Sequence, residues 1–229
     1  MELRESRFMV AGATGALGSR LARALQADGA HVFLAGRDAD RLAALADQLG
    51  VPAGALDLSV PMDAVKTAAG ALGGLDGVVI ATGVVAFGAA DELPDGVARE
   101  LFEVNALGPV ALMRAALGEL RSPAAIVALS AVVAEFPTAG MAAYSASKAA
   151  LSAYLGALRR ERRRHGLTVL DVRPPHLDTG FSAHALHGDP PKLPEPADPD
   201  ALVTAILDAV RDDRRELRYD PTQRELIAR

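Results

Sequence analysis

Tyr144 and Lys148 are four residues apart within an alanine-rich stretch of the chain. In a helix this spacing places both side chains on one face. A fixed ammonium beside a phenol favours the phenolate, so it lowers the tyrosine pKa from its usual value of about 10. The pair is therefore a candidate proton donor for carbonyl chemistry near neutral pH. A surface lysine beside a half-buried tyrosine is the simpler alternative. Other motifs in the chain are needed to choose between the two interpretations.

Short apolar runs alternate with longer helical patterns along the whole chain. We predict strands at 8–11, 32–35, 78–81, 125–129 and 168–172, and helices at 19–27, 40–49, 63–72, 97–120 and 142–165. Most of the runs are apolar on both faces, which is typical of a parallel sheet covered by helices on each side. The sequence therefore predicts an α/β fold: a single-domain, Rossmann-like, doubly wound parallel sheet over residues 1–229. A proline-rich segment around 176–199 is interpreted as a substrate loop.

Composition excludes several classes of protein. The chain has 229 residues, of which 50% are hydrophobic, and a formal charge of -5 from 24 basic and 29 acidic side chains. This balance gives no electrostatic reason to bind nucleic acid or an anionic membrane. Cysteine is absent, which excludes disulfides and thiolate metal sites and fits a reducing compartment. With no long uninterrupted apolar stretch, we expect a soluble cytoplasmic protein.

A glycine-rich turn follows the first predicted strand and precedes a helix. Its candidate cofactor-binding residues are Gly12, Thr14, Gly15, Leu17 and Gly18. Glycines in this position let backbone amides approach a pyrophosphate at the positive end of a helix. An ordinary strand-to-helix turn is the alternative. The position of the turn after the first strand favours a dinucleotide site.

The end of the second predicted strand indicates which dinucleotide is bound. Gly36-Arg37-Asp38 offers a guanidinium and no carboxylate where the adenosine ribose would be held. Arg37 can pair with a 2′-phosphate, so NADP(H) is preferred over NAD(H). The alternative is that Arg37 is a solvated residue at the start of a helix.

Together these residues resemble the short-chain dehydrogenase/reductase family from about residue 7 to residue 179. The resemblance is carried by the glycine turn, Asp57-Leu58, Asn105-Ala106-Leu107-Gly108, Tyr144 with Lys148, and Arg173-Pro174 followed by Thr179. Their order and spacing match the family pattern as a set. The resemblance implies a homodimer or homotetramer built on the helix of Tyr144 and the long helix before it.

The resemblance also implies roles for individual residues. Asp57 and Leu58 would meet the adenine, and Thr179, after Pro174, would meet the nicotinamide carboxamide or the diphosphate. The backbone at Ala81 and Gly83 would face the cofactor. Asn105 would hold a water in a proton relay, Lys148 would bind the nicotinamide ribose, and Tyr144 would protonate the alkoxide oxygen as hydride reaches the carbonyl carbon.

The chain departs from the family pattern in its hydrogen-bond donors. The family places a serine thirteen positions before the tyrosine, where this chain has Ala131. Ser130 is the candidate replacement, but neighbouring side chains leave an extended strand in opposite directions, so the strand end would have to bulge or turn. Loss of one such donor typically costs about 10²–10³ in rate.

Two further departures concern the cofactor site. Ile80-Ala81-Thr82-Gly83 lacks the family's paired asparagines, and Ala16 and Pro175 stand where glycines are usual. We expect these changes to shift the cofactor slightly without abolishing its binding.

Three histidines near the proline-rich segment could suggest a metal. His184 and His187 have helical spacing, with His176 nearby. No carboxylate is in register with them as a further ligand, so we expect no metal site.

The sequence leads to one main functional hypothesis. We expect an NADP-dependent oxidoreductase that interconverts a small-molecule carbonyl and an alcohol by hydride transfer, with Tyr144, Lys148, Asn105 and Ser130 as catalytic candidates. The alternative is a dinucleotide-binding protein of the same fold with a non-redox or regulatory role, motivated by Ala131.

Overall fold

Parallel strands form the centre of the protein. The computed structural model describes residues 1–229 and contains one eight-stranded sheet in the order β3-β2-β1-β4-β5-β6-β7-β8. The strands are β1 (Arg7–Ala11), β2 (His31–Gly36), β3 (Ala53–Ala55), β4 (Leu75–Ile80), β5 (Leu120–Leu129), β6 (Leu167–Arg173), β7 (Glu216–Asp220) and β8 (Glu225–Ala228). Only the β7–β8 pair is antiparallel. The chain reverses direction across the sheet between β1 and β4, the point at which open α/β sheets bind ligands.

Helices cover both faces of the sheet. They are α1 (Ala16–Ala27), α2 (Ala39–Leu49), α3 (Met62–Leu72), α4 (Asp95–Phe102), α5 (Gly108–Ala116), α6 (Ala142–Arg162) and α7 (Pro199–Arg211). A π-helical turn at Glu103–Leu107 joins α4 to α5. Short 3₁₀ turns lie at Val132–Ala134 and Phe181–His184. No helix is both long enough and apolar enough to cross a membrane.

The core has two main layers because strand side chains alternate between the faces. Phe8 and Val10 point into a cluster of 26 buried residues with α1 and α7, whereas Met9 and Ala11 point into a cluster of 21 with α3, α5 and α6. Each large apolar side chain buried in this way contributes about 1.5–3 kcal/mol. The two layers hold the carboxyl ends of β1, β4, β5 and β6 in fixed positions.

The predicted fold class is confirmed, and the five predicted strands correspond to β1, β2, β4, β5 and β6. Three strands and α7 were not predicted. β3 is only Ala-Gly-Ala, and β7 and β8 carry charged residues at the sheet edge, so none has the apolar run that indicates a buried strand. The end of the proline-rich segment is Pro199, which begins α7, a position where a missing amide hydrogen has no cost.

The helix predicted at 97–120 requires correction. It is divided into α4, the π turn and α5, and it ends at Ala116, while Leu120 begins β5. Pro109 lacks the amide hydrogen that would bond to the carbonyl of Asn105 in a regular helix. Asn105 therefore lies in a widened turn, a feature common at functional sites.

Candidate active site

The glycine turn brings the backbone of β1 and β4 into close contact. Gly12 has φ +80°, and a Cβ there would lie 2.8–2.9 Å from backbone atoms of Ala81 and Thr82. A Cβ on Gly18 would lie 2.1 Å from the Gly12 carbonyl oxygen. Only glycine fits these two positions. The turn ends at Gly15, the N-cap of α1, with no side chain bonded to the first amides of the helix.

The adenosine end of the predicted cofactor site contains two guanidinium groups. Arg37 follows β2 and is exposed. Arg41, which the sequence reasoning did not identify, donates to the Thr14 carbonyl oxygen at 2.6 Å. Its amide bonds to Asp38, the N-cap of α2, at 3.0 Å. The sequence signal for this arrangement was Asp38 directly before a helical pattern, which is typical of an N-cap. An N-cap fixes the first turn of the helix and therefore the direction in which Arg41 points.

Asp57 and Leu58 lie on the same edge of the sheet. The Asp57 carboxylate accepts from the Ser59 hydroxyl at 2.7 Å and from the Ser59 amide at 2.8 Å, and these hydrogen bonds lower the pKa of Asp57. Leu58 packs on the start of α5, where a Cβ on Gly108 would lie 2.8 Å from the Leu58 Cβ. Both residues therefore have defined positions beside the π turn.

Asn105 connects three elements. Its Oδ1 accepts from the Val84 amide at 2.9 Å, and its Nδ2 donates to the Val84 carbonyl at 2.9 Å and to Ser147 Oγ at 3.0 Å. Ser147 in turn donates to the Tyr144 carbonyl at 2.8 Å. Asn105 thus fixes the first turns of α6 against the segment after β4. This is the part of the helix that carries Tyr144 and Lys148.

Lys148 meets Asn105 beside Gly83. A Cβ on Gly83 would lie 3.3 Å from Lys148 Nζ and 3.3 Å from Asn105 Oδ1. Lys148 is 3% exposed and donates to the Leu129 carbonyl at 2.9 Å. The structure therefore brings Gly83, Asn105 and Lys148 together on one side of the switch point, one helical turn from Tyr144.

Burial, and not the Lys148 ammonium, has the largest effect on the pKa of Tyr144. Desolvation raises the pKa of Tyr144 above its usual value, so the expectation of a lowered pKa is corrected. Burial also lowers the pKa of Lys148 to about 8, against the opposing charge of Asp171. Removing water disfavours the charged form of each group more strongly than a neighbouring charge restores it. The phenol consequently stays protonated at neutral pH and can donate a proton.

The structure does not bring Ser130 to Tyr144. The Ser130 hydroxyl donates to Asp171 Oδ1 at 2.5 Å, and its oxygen also lies 3.1 Å from the Val172 carbonyl oxygen. Ala131 is extended, with φ −169° and ψ 159°, and its methyl group belongs to the small apolar cluster that contains Tyr144. Because side chains alternate along extended backbone, Ser130 points away, and its predicted role as the replacement donor is corrected.

The segment after β6 lies over the tyrosine. The Pro174 carbonyl accepts from the Val132 amide at 2.9 Å, which holds the segment's first residues against the end of β5. Farther along, the Leu186 amide donates to the Val85 carbonyl at 2.8 Å, and the Phe87 amide donates to the His187 carbonyl at 2.9 Å. Two backbone hydrogen bonds therefore fasten the segment over the apolar cluster.

The two ends of this segment pair with each other. Leu177 and Ala197 form a parallel bridge, and the amide of Thr179 donates to the Leu177 carbonyl at 3.0 Å. The Phe181 ring reaches to 3.9 Å from the position that a Cβ on Gly83 would occupy. Phe181 and Lys148 therefore both approach Gly83, an arrangement that no sequence pattern indicated.

The histidines of the segment are placed separately. His184 Nδ1 lies 3.0 Å from the Gly180 carbonyl oxygen, and both His184 and His187 are exposed. Nowhere in residues 1–229 do three His, Cys, Asp or Glu side chains group as a metal ion requires.

Thr82, next to the glycine turn, contains a buried hydroxyl with no hydrogen-bond partner. An unpaired buried polar group costs about 1–3 kcal/mol. We expect Thr82→Val to raise the free energy of unfolding by about 1 kcal/mol, measured by denaturant unfolding. The matched control is Thr67→Val, since the Thr67 hydroxyl is paired with the Asp63 carbonyl at 2.8 Å. A loss of stability in Thr82→Val would show that its hydroxyl has a partner.

Comparisons with known proteins agree with this geometry. A family model described as short chain dehydrogenase matches residues 7–189. Dehydrogenase/reductase SDR family member 7B of Danio rerio is 31% identical over 238 residues, covering 94% of this chain and 77% of that protein. An uncharacterized oxidoreductase of Myxococcus xanthus is 33% identical over 185 residues, covering 76% of this chain and 73% of that protein.

Solved structures are similar over nearly the whole chain. A short-chain dehydrogenase from Streptomyces avermitilis has a TM-score of 0.85 against this fold and 26% identity, covering 95% of this chain and 88% of that one. A short chain dehydrogenase from Burkholderia cenocepacia, solved in complex with NADP, has a TM-score of 0.80 and 27% identity, covering 92% of each chain. These matches agree with the parallel sheet, the glycine turn and the Tyr144–Lys148 pair on α6. The chain therefore belongs to the short-chain dehydrogenase/reductase family and is an oxidoreductase.

Proposed function

We propose that the protein is an NADP-dependent oxidoreductase that interconverts a small-molecule carbonyl and an alcohol by hydride transfer. The observation that carries the proposal is the meeting of Gly83, Asn105 and Lys148 beside the glycine turn, with Tyr144 one helical turn away. A non-redox role needs a dinucleotide site but gives no reason for a buried ammonium and a protonated phenol on one helix face. The redox reaction uses both.

The residues present fit a nicotinamide dinucleotide. Gly12 and Gly18 let the turn pack tightly on its own backbone, and no side chain caps the first turn of α1, so a diphosphate can bind at that helix end. In our proposal Thr14, Gly15 and Leu17 complete that turn. The cofactor, when bound, supplies the hydride.

The remaining contacts follow the sheet edge. Asp57 and Leu58 would hold the adenine, and the backbone of Ala81 and Gly83 would line the middle of the cofactor. Lys148 would bind the nicotinamide ribose. Pro174 and Thr179 would lie at the nicotinamide end, since they follow β6, which neighbours β5 in the sheet.

Proton transfer in the proposed reaction depends on Tyr144. Burial keeps its phenol protonated, so in the reductive direction it donates to the oxygen that becomes negative as hydride arrives. Ala131 offers no second donor, so Tyr144 performs this step alone. Asn105 would hold the water that returns a proton through the second lone pair of its Oδ1, because both Nδ2 hydrogens are donated to Val84 and Ser147.

The proposal is tested by following absorbance of the reduced nicotinamide while the purified protein meets NADPH and a panel of ketones and aldehydes. Consumption of NADPH with equal formation of alcohol supports the function. Tight binding of NADPH with no turnover on any carbonyl would support the dinucleotide-binding alternative.

Preference for NADP(H) rests on Arg37, with Arg41 as a second cation at the same edge. We expect Arg37→Ala to weaken NADPH binding by about 10-fold or more, because a charge-assisted pair with the 2′-phosphate contributes about 1.5–3 kcal/mol. NADH binding should change little. Dissociation constants for both cofactors, measured by fluorescence, check this.

The control for Arg37 is Arg23→Ala, an exposed arginine on α1 that bonds to Gln48 Oε1 at 2.7 Å. It should leave both affinities unchanged. Equal losses for NADPH and NADH in Arg37→Ala would remove the basis for choosing NADP.

We propose that the protein acts in the cytoplasm. We also propose that it is a homodimer or homotetramer. Phe102 and Leu107, 37% and 54% exposed, are apolar side chains at the end of α4 and at the end of the π turn. Such side chains favour burial against another chain. Sedimentation equilibrium at the mass of one chain would contradict this assembly.

A further inference from the structure

Asp171 is a buried carboxylate that no part of the proposed reaction uses. It lies on β6 and is fully inaccessible to solvent. Its Oδ1 accepts from Ser130 at 2.5 Å, and its Oδ2 accepts from Ser152 at 2.6 Å and from Arg173 Nε at 2.7 Å. Three donors, one of them a guanidinium, form a site suited to an ionised carboxylate. A negative charge is therefore built into the interior at this point.

The same elements hold Lys148 and Asp171. On α6, Ser152 is one turn beyond Lys148 and bonds to Asp171, whereas Lys148 bonds to the Leu129 carbonyl. Leu129 and Ser130 are consecutive residues at the end of β5, and Ser130 is a second donor to Asp171. The lysine and the carboxylate are thus fixed to adjacent residues of one strand and adjacent turns of one helix.

The charges of Asp171 and the groups paired around it balance without Lys148. Arg173 also pairs with Glu135 and lies 3.5 Å from Glu216. Arg159 pairs with Glu216 at 3.1 Å, and Arg218 lies 3.8 Å from Glu135. These contacts contain three carboxylates and three guanidinium groups. Lys148 is the additional positive charge, and the titratable side chain one turn before it on α6 is Tyr144, whose phenol is neutral.

We propose that Asp171 is a positioning residue whose buried charge keeps Lys148 in the ammonium form that binds the nicotinamide ribose. This inference rests on the cofactor-binding role given to Lys148 in the proposed function. Ser130 and Ser152 give the carboxylate neutral hydrogen bonds that do not change its charge, and Arg173 moderates that charge.

The sign of the effect follows from the charges. Burial lowers the pKa of Lys148 to about 8, and Asp171 is the charge that opposes this. Without the charge at residue 171, nothing opposes the effect of burial, so the lysine would lose its proton at lower pH. Without Arg173, which pairs with Asp171 at 2.7 Å, the charge of the carboxylate would act on Lys148 undiminished, so the lysine would keep its proton to higher pH.

The test measures NADPH affinity against pH, by fluorescence, on the full-length protein. In the wild type we expect affinity to fall as Lys148 loses its proton, above about pH 8. Asp171→Asn should move the midpoint of this fall down by roughly one pH unit, and Arg173→Met should move it up. Opposite shifts from two members of one ion pair are not expected if the pair is only structural.

Two controls complete the design. Ser152→Ala removes a hydrogen bond to Asp171 but no charge, so its midpoint should match the wild type. Lys148→Met should abolish the alkaline fall altogether. If Asp171→Asn does not fold, the upward shift in Arg173→Met still supports the inference, and an unchanged or lowered midpoint overturns it.

Several results would overturn the inference. They are a wild-type affinity that does not vary with pH, a midpoint unchanged in Asp171→Asn, or an equal shift in Ser152→Ala. Failure of the proposed function is a separate outcome. If the protein binds NADPH with these pH shifts but reduces no carbonyl, the proposed role of Asp171 stands and the proposed carbonyl reduction is contradicted.

Discussion

Replacing Tyr144 with phenylalanine is expected to lower kcat/KM for carbonyl reduction by about 10²–10⁴-fold, the usual contribution of a positioned proton donor. The ring keeps its place in the apolar cluster with Ala131 and Met141, so the change removes only the hydroxyl. NADPH affinity should stay within about twofold of the wild type, because the loss concerns a group that acts in the transition state.

The expected loss is large because no second donor is at hand. Ser130 is bonded to Asp171, and Ala131 has no hydroxyl. Rates come from NADPH absorbance and affinities from fluorescence. Tyr154→Phe is the matched control, since Tyr154 lies on the same helix but packs against the core layer of 21 residues and not in the cluster of Tyr144, and it should retain wild-type kcat/KM. Full activity in Tyr144→Phe would show that another group donates the proton.

Ala131→Ser is expected to raise kcat/KM by about 10-fold to 10²-fold. One hydrogen-bond donor to a developing oxyanion is worth about 10²–10³ in rate where it is well placed. The Ala131 methyl group already points into the cluster that contains Tyr144, so a hydroxyl on the same carbon is directed towards the reacting oxygen. Accommodating one extra atom in a packed cluster reduces the gain somewhat.

The control for this gain is Ala131→Val, which adds bulk without a donor and should not exceed the wild type. Steady-state rates with one carbonyl substrate compare the three proteins. Equal activity in Ala131→Ser and Ala131→Val would contradict the view that Ala131 occupies an empty donor position.

Local patterns in the sequence predicted much of the fold. Apolar runs predicted the positions of β1, β2, β4, β5 and β6, because a strand that is buried on both faces consists almost entirely of apolar residues. The glycine turn followed from its place between β1 and α1. The short Ala-Gly-Ala strand and the charged edge strands lack such a pattern, and they are strands only because a neighbour supplies hydrogen bonds.

The candidate site was predicted in its residues more than in its electrostatics. The four-residue spacing of Tyr144 and Lys148 gave their shared helix face. It could not give the direction of the tyrosine pKa, because the burial of Tyr144 depends on elements far apart in the chain, which include Phe87 and the segment at 181–188. The alternation of β5 already indicated that Ser130 would point away from Ala131.

Groups assembled from several elements had no sequence signal. Asp171 and Arg173 come from β6, Glu135 from the segment after β5, and Glu216 from an edge strand that was not predicted. Charged residues in a strand normally indicate a solvated edge. Their pairing, and the link to Lys148, appears only when the strands are placed side by side.

A crystal structure of the protein with NADPH would show whether Tyr144 is placed to donate a proton beside the nicotinamide. We expect the Tyr144 hydroxyl to face the reactive carbon of the nicotinamide ring, near enough for one carbonyl group to lie between them, with Lys148 on the ribose. A nicotinamide bound elsewhere, or a hydroxyl turned from the ring and blocked by protein atoms, would contradict it.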